Sequence, residues 1–313
     1  HRVDRRQRQM CIRDRKGTME RRRIKHASLC SGIGGLDLAV ESHYASRLIW
    51  YSDIDPEANN VMAHHYPDAQ PIGDLIEATP PDIEVDVLTF GFPCQAISSS
   101  GYMNGRESQK WLFQEIADFI SRMKTPPQKL VIENVSNLIS HDEGRTGRHV
   151  LRTLARLGYD AEWLCLKASD AGLPHQRKRF FAIATHADCE PRTFQNIRPR
   201  QVEWEIRGIH GDTLNNFERS GLPMFSRKYG GLQPFHEFTQ AIERWESISG
   251  REAPNPISKS GKAICEDFVF WMMGFPPGWL DIELTRSAKL RLLGNAVAPP
   301  QASLALELIE QHD

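Results

Sequence analysis

Apolar residues come in short runs along this chain, separated by amphipathic stretches. The first run, residues 24–30, reads as a strand, and a glycine-rich turn leads from it into helical spacing over 36–42. Residues 48–51 read as a second strand, followed by a helix that Pro56 opens near its first turn. Further strands are expected at 85–90, 130–132, 161–166 and 180–184, with helical spacing over 111–123 and 147–157. Strand and helix in alternation predict an α/β fold with a mostly parallel sheet. The pattern changes near Cys189: residues 190–262 are polar and loop-rich, dotted with Trp204, Phe217, Phe225, Tyr229, Phe235 and Trp245. Only 236–247 shows helical spacing there, so this stretch reads as a second, irregular domain inserted into the first. Residues 299–311 return to a clean amphipathic helix.

Composition narrows the class without naming a function. The 313 residues are 40% hydrophobic and 25% charged, enough for a large core without a disulfide staple. No run of 18 apolar residues offers a membrane span. The six cysteines (Cys11, Cys30, Cys94, Cys165, Cys189 and Cys265) show no C-x-x-C spacing, which excludes zinc-ribbon and thioredoxin readings and points to a reducing cytoplasm. No metal-ligand set is read. The net charge of −1 hides a split: residues 1–24 hold ten Arg/Lys and three Asp/Glu, which leaves the remainder near −8. A nucleic-acid enzyme with that balance has to concentrate positive charge locally. Residues 1–23 have no hydrophobic period and are expected to be a disordered tail. Within them, Met10-Cys11-Ile12-Arg13-Asp14-Arg15 resembles a translated sequencing adapter, with Met19 as the natural start.

Five short motifs carry candidate chemistry. Ser31-Gly32-Ile33-Gly34-Gly35 lies between a strand and a helix, where glycines allow a tight turn and close approach of a ligand to backbone. Asp53 ends the next strand, where an acid can take ribose hydroxyls; an ordinary glycine turn explains the same residues equally well. Cys94, in Phe92-Pro93-Cys94-Gln95, follows the strand 85–90 at the sheet edge where open α/β sheets bind ligands, and is placed as a nucleophile. Glu133 and Asn134 follow a buried strand, where a carboxylate is costly unless paired or used. In Pro174-His175-Gln176-Arg177-Lys178-Arg179, strand alternation would put Arg177 and Arg179 on one side as a two-pronged anion or base clamp. Leu293-Gly294-Asn295-Ala296-Val297 reads as a turn entering the closing helix.

Together and in this order, these motifs resemble those of the DNA (cytosine-5)-methyltransferase family over most of 25–313. Pro93-Cys94-Gln95 and Glu133-Asn134-Val135 match the family's Pro-Cys-Gln and Glu-Asn-Val without change. His175 stands where the family's Gln-x-Arg-x-Arg begins with glutamine, and Gly294–Val297 match its Gly-Asn-x-Val. The resemblance implies a Rossmann-like methyltransferase domain over 24–188, a smaller target-recognition domain over 189–279, and a segment 280–313 that returns to the catalytic domain. It implies S-adenosylmethionine held by Ser31, Gly32, Gly34, Gly35, Asp53, Ile54, Asp74, Pro93, Leu112 and Asn295. Cys30 replaces an aromatic usual in relatives. Cys94 is implied as the nucleophile, with Glu133, Arg177 and Arg179 at the cytosine. Residues 101–110 would form a lid, and Arg192, Arg198, Arg200, Arg207 and Arg227 would meet phosphates. The implied partner is double-stranded DNA, with the chain a cytoplasmic monomer in a bacterium or a phage-infected host and a cognate restriction endonuclease as a further implied partner. Three rivals fit less well, one of them a non-catalytic DNA-binding relative, which the intact Cys94 and Glu133 argue against. An RNA enzyme of related type would carry a Cys-Phe-Thr that this chain lacks, and a nicotinamide oxidoreductase would not account for Pro-Cys-Gln beside Glu-Asn-Val.

Overall fold

The computed structural model describes residues 23–93, 112–188, 238–258 and 263–311. Seven strands form one sheet: β1 (Lys25–Leu29), β2 (Arg47–Ser52), β3 (Gln70–Pro71), β4 (Val87–Gly91), β5 (Lys129–Val135), β6 (Tyr159–Lys167) and β7 (Lys178–His186), in the order β3-β2-β1-β4-β5-β7-β6. The first five neighbours run parallel, while β7 lies antiparallel between β5 and β6. The sheet is thus mixed but mostly parallel. The order reverses between β1 and β4, and their carboxyl ends open the crevice where such sheets bind ligands.

Strand alternation sorts the core onto two faces. Leu88 and Phe90 of β4 and Leu130 and Ile132 of β5 point one way, against α3 (Phe113–Ser121) and α4 (Arg145–Arg156). Val87 and Val131 point the other way, against α1 (Gly35–Tyr44) and α8 (Pro299–Glu310). Helix α2 (Pro56–His65) opens as a proline at its first turn predicts, with Asp55 accepting from the Glu57 and Ala58 backbone N–H groups at 3.0 and 3.3 Å.

Three helices follow: α5 (Thr239–Ser249), α6 (Glu266–Met273) and α7 (Arg286–Asn295). Trp245, Phe268, Trp271 and Phe275 of this region are buried in the same cluster as α1 and α8. The described part of the inserted region therefore packs directly on the sheet domain. Residues 189–237, including the five arginines expected at phosphates, lie outside the described residues. No helix among the described residues is long and apolar enough to cross a membrane.

Two local expectations are corrected. Glu133 and Asn134 do not follow β5 but belong to it, opposite Phe181 and Phe180 of β7. Gly294 and Asn295 are not in a turn entering the closing helix; they end α7, and Ala296 caps it.

Candidate active site

The glycine loop leaves β1 and is held to β2. Ser31 donates from its backbone N–H and its hydroxyl to the Ser52 carbonyl oxygen, at 3.1 and 3.0 Å. The chain turns through positive φ at Gly32 and Gly34 and enters α1 at Gly35. A side chain at Gly35 would collide with the Val297 carbonyl oxygen, so only glycine lets the segment after α7 close on the loop. The Gly32 N–H donates to Asp53 Oδ2 at 2.7 Å, and the Asp55 N–H donates to Asp53 Oδ1 at 2.9 Å. Burial raises the Asp53 carboxyl, opposed by these hydrogen bonds. Ile54, next along, is 73% exposed, an apolar side chain offered to solvent at the crevice. Asp74 accepts from the Ile76 N–H at 2.9 Å, and Ser52 Oγ donates to the Gly73 carbonyl at 2.6 Å, which draws that turn in beside β2. Cys30 sits among these acids: burial, then Asp53 and Asp74, push its thiol up to about 12, which makes it inert as a nucleophile.

Charge is arranged differently across the crevice. Glu133 lies opposite Gly91 in the β4–β5 register and is 8% exposed. Its Oε1 is 3.0 Å from Arg179 Nε, an ion pair made because β7 runs antiparallel beside β5. Burial raises the Glu133 carboxyl, and Arg179 and then Arg177 oppose the rise. Arg177 reaches elsewhere: it donates to the Gly294 and Ala296 carbonyl oxygens at 2.7 and 2.9 Å. The expected two-pronged clamp is therefore split, with Arg179 on the carboxylate and Arg177 on the end of α7, where Asn295 stands. Burial and the two arginines bring His175 down to about 4, so it is neutral near pH 7 and hydrogen-bonds the Met272 backbone. Asn134 Nδ2 donates to the Phe92 carbonyl oxygen at 3.1 Å and so fastens the strand exit leading to Pro93.

One cavity gathers Ser31, Gly32, Gly35, Gly91, Glu133 and Asn295. Gly34, Asp53, Ile54, Asp74, Pro93, Leu112, Arg177 and Arg179 do not line it, with Pro93 exposed and Leu112 half-buried at the start of α3. Cys94 and residues 101–110 lie outside the described residues.

Three supporting residues are absent from the sequence reading. Asp37 is fully buried under the glycine loop and accepts from Ser28 Oγ at 3.0 Å and Thr89 Oγ1 at 2.7 Å, which ties α1 to β1 and β4. Trp279 Nε1 donates to the Ile33 carbonyl oxygen at 2.8 Å, and its ring stacks on His65 at 3.6 Å. Gln301, also fully buried, donates to the Leu166 and Arg177 carbonyl oxygens, both at 2.9 Å. An acid within the apolar spacing after Gly35 was the available signal for Asp37; the other two carry none in sequence.

Residues 24–220 match the model of the C-5 cytosine-specific DNA methylase family. Among curated relatives, the chain is 36% identical over 280 residues to type II methyltransferase M.NlaIV of Neisseria lactamica, covering 81% of this chain and 66% of that protein. It is 36% identical over 318 residues to type II methyltransferase M1.ScrFI of Lactococcus lactis subsp. cremoris, covering 92% of this chain and 79% of that one. The S. pombe Dnmt2 methyltransferase structure superposes with a TM-score of 0.59 at 19% identity, over 93% of this chain and 99% of that one, a likeness of fold.

Proposed function

The chain belongs to the C-5 cytosine-specific DNA methylase family, and from that premise we propose that it methylates C5 of a cytosine flipped out of a specific duplex DNA sequence, through a covalent bond to Cys94. The observation that carries this reading is the ion pair between buried Glu133, which lines the crevice beside the glycine loop, and partly exposed Arg179, with Glu133 opposite Gly91 on the strand that leads to Cys94.

The cofactor side fits S-adenosylmethionine. The Asp53 carboxylate, held by the backbone N–H groups of Gly32, Ile54 and Asp55, keeps a lone pair for a ribose hydroxyl. Exposed Ile54 gives an adenine ring an apolar face, and the bare Gly35 lets the Val297 backbone close on the glycine loop. When bound, S-adenosylmethionine supplies an electrophilic methyl group.

The protein's own part is to make C5 a nucleophile. The Cys94 thiolate adds to C6, and negative charge develops on the ring. Glu133, its carboxyl raised by burial, can carry a proton to N3 as that charge develops. Arg179 holds Glu133 in place and offers its remaining N–H groups to the base O2. Once C5 carries the methyl group, a water molecule takes the C5 proton, the electron pair of that C–H bond re-forms the C5–C6 double bond, Cys94 leaves as the thiolate and N3 returns its proton to Glu133. Because C6 is hidden inside a stacked duplex, the base must leave the helix, which costs a few kcal/mol of unstacking. Residues 189–279 would select the sequence, and the enzyme would act as a cytoplasmic monomer in a restriction-modification setting.

Duplex DNA carrying 5-fluorocytosine at the target tests the chemistry, since fluorine cannot leave as a cation. A denaturation-resistant adduct that requires S-adenosylmethionine, maps to Cys94 and disappears in Cys94→Ser is expected. An adduct on another cysteine, or one formed only on fluorinated RNA, overturns the assignment.

A further inference from the structure

Helix α4 carries charge that the transfer chemistry does not use. Arg145, Arg148, Arg152 and Arg156 are all exposed, and with His149 they line one open groove along the helix. Steps of three and four residues put them on one face. The other face buries Thr146, Gly147, Val150, Thr153 and Leu154 against the sheet domain. No acidic residue occurs in α4. Arg145 pairs with Asp142 at 2.5 Å, and Arg148 donates to the Glu143 carbonyl oxygen at 3.2 Å. No carboxylate among the described residues pairs with Arg148, Arg152 or Arg156. Like charges four residues apart on a helix repel, so this arrangement does not serve the helix's own stability. It also runs against a chain whose residues beyond 24 sum to near −8.

We propose that this stripe is a second DNA-backbone contact, taking phosphates of the duplex beside the target site. The inference rests on the DNA methylase reading, which brings duplex DNA to the carboxyl edge of the sheet. Helix α4 starts soon after β5 ends at that edge and runs back towards the start of β6. At about 1.5 Å per residue the stripe is roughly 16 Å long. One DNA strand presents a phosphate about every 3.4 Å of axis. Guanidinium groups spread over that length suit an extended polyanion better than a single small anion.

The full chain with Arg148→Gln, Arg152→Gln and Arg156→Gln tests this; glutamine keeps helix propensity close to that of arginine. Affinity for a duplex of about 30 base pairs containing the target would be measured between about 50 and 200 mM salt. The slope of log K against log salt should become shallower by about 2–3, and binding near 0.1 M should weaken at least about 10-fold. Methyl transfer at saturating DNA should be unchanged. Lysine at the same three positions should restore the slope, because phosphates accept a point charge. An unchanged slope in the glutamine triple overturns the stripe, whether or not the protein transfers methyl groups. A shallower slope in a protein whose wild type transfers no methyl to DNA supports the stripe and overturns the methylase reading instead.

Discussion

The two sides of the crevice are built over different lengths of chain. On the cofactor side, Ser31 donates to the Ser52 carbonyl of β2, and the Gly32 and Asp55 N–H groups donate to the Asp53 carboxylate, with Gly32 and Asp53 only 21 residues apart. On the base side, Glu133 depends on a strand inserted antiparallel, and Arg177 reaches carbonyls 117 and 119 residues away. The first side can form as soon as two neighbouring strands pair. The second exists only when β7 has entered between β5 and β6 and α7 has closed, contacts that pay more loop-closure entropy. The same contrast runs through the electrostatics. The Asp53 carboxylate on the cofactor side is held by backbone N–H groups, whereas Glu133 is a buried acid opposed by two arginines.

If the sides are separable, Glu133→Gln should have the largest effect and strike one of them. It keeps the shape but removes the proton and leaves Arg179 without its carboxylate. Single-turnover methyl transfer should fall by roughly 10²–10⁴-fold. Cofactor affinity, read by titration, should stay within a few-fold of wild type. Equal losses in transfer and cofactor affinity would mean that the division into sides is wrong.

The division also explains what could be read from the chain. The glycine loop and Glu133 are contiguous words at strand ends, so their position at the crevice was legible, whereas Cys94 and Gln95 lie outside the described residues. Strand β3 was not, because two residues have no period. Helix α7 was hidden because only Ala288, Leu292 and Leu293 of it are buried, too few to show a stripe. The partner of Arg177 was illegible for a stronger reason: alternation predicts the side of a strand a residue occupies, but not which distant carbonyls come to meet it. Arg148, Arg152 and Arg156 were present at helical spacing, but the apolar positions of the same helix were the feature that periodicity picks out.

A smaller effect is expected from Gly35→Ala on the other side. The added methyl would meet the Val297 carbonyl oxygen, which belongs to backbone and cannot rotate away. Either the glycine loop or the segment after α7 must shift, at a cost of about 1–3 kcal/mol. Cofactor affinity should drop at least about 10-fold, with a lowered Tm, while transfer at saturating cofactor falls much less than in Glu133→Gln. A variant that binds cofactor normally would show that the close approach at Gly35 is not needed for that side.

The smallest expected effect concerns the contact that joins the two sides at the opposite edge of the sheet. Glu310, near the end of α8, meets His43 and Tyr44 at the end of α1 at 2.7 and 2.6 Å, and Lys129 at the start of β5 at 2.7 Å. Burial would raise its carboxyl, but the hydrogen bonds from His43, Lys129 and Tyr44 outweigh that and bring it down from 4.5 to about 2. A carboxyl lowered on folding stabilises the protein in its ionised form. The contribution is therefore complete above about pH 4.5 and fades as pH falls towards 2. Discounted for partial exposure, it is on the order of 2 kcal/mol. Glu310→Gln should lower Tm near pH 7, and the gap to wild type should hold down to about pH 4.5 and narrow below it. Methyl transfer and cofactor affinity should both be unaltered below the melting range, because the contact holds the two sides together without touching either. A gap independent of pH would assign the loss to packing around α8 rather than to the charge, and a selective change in one activity would show that the edge contact reaches the crevice after all.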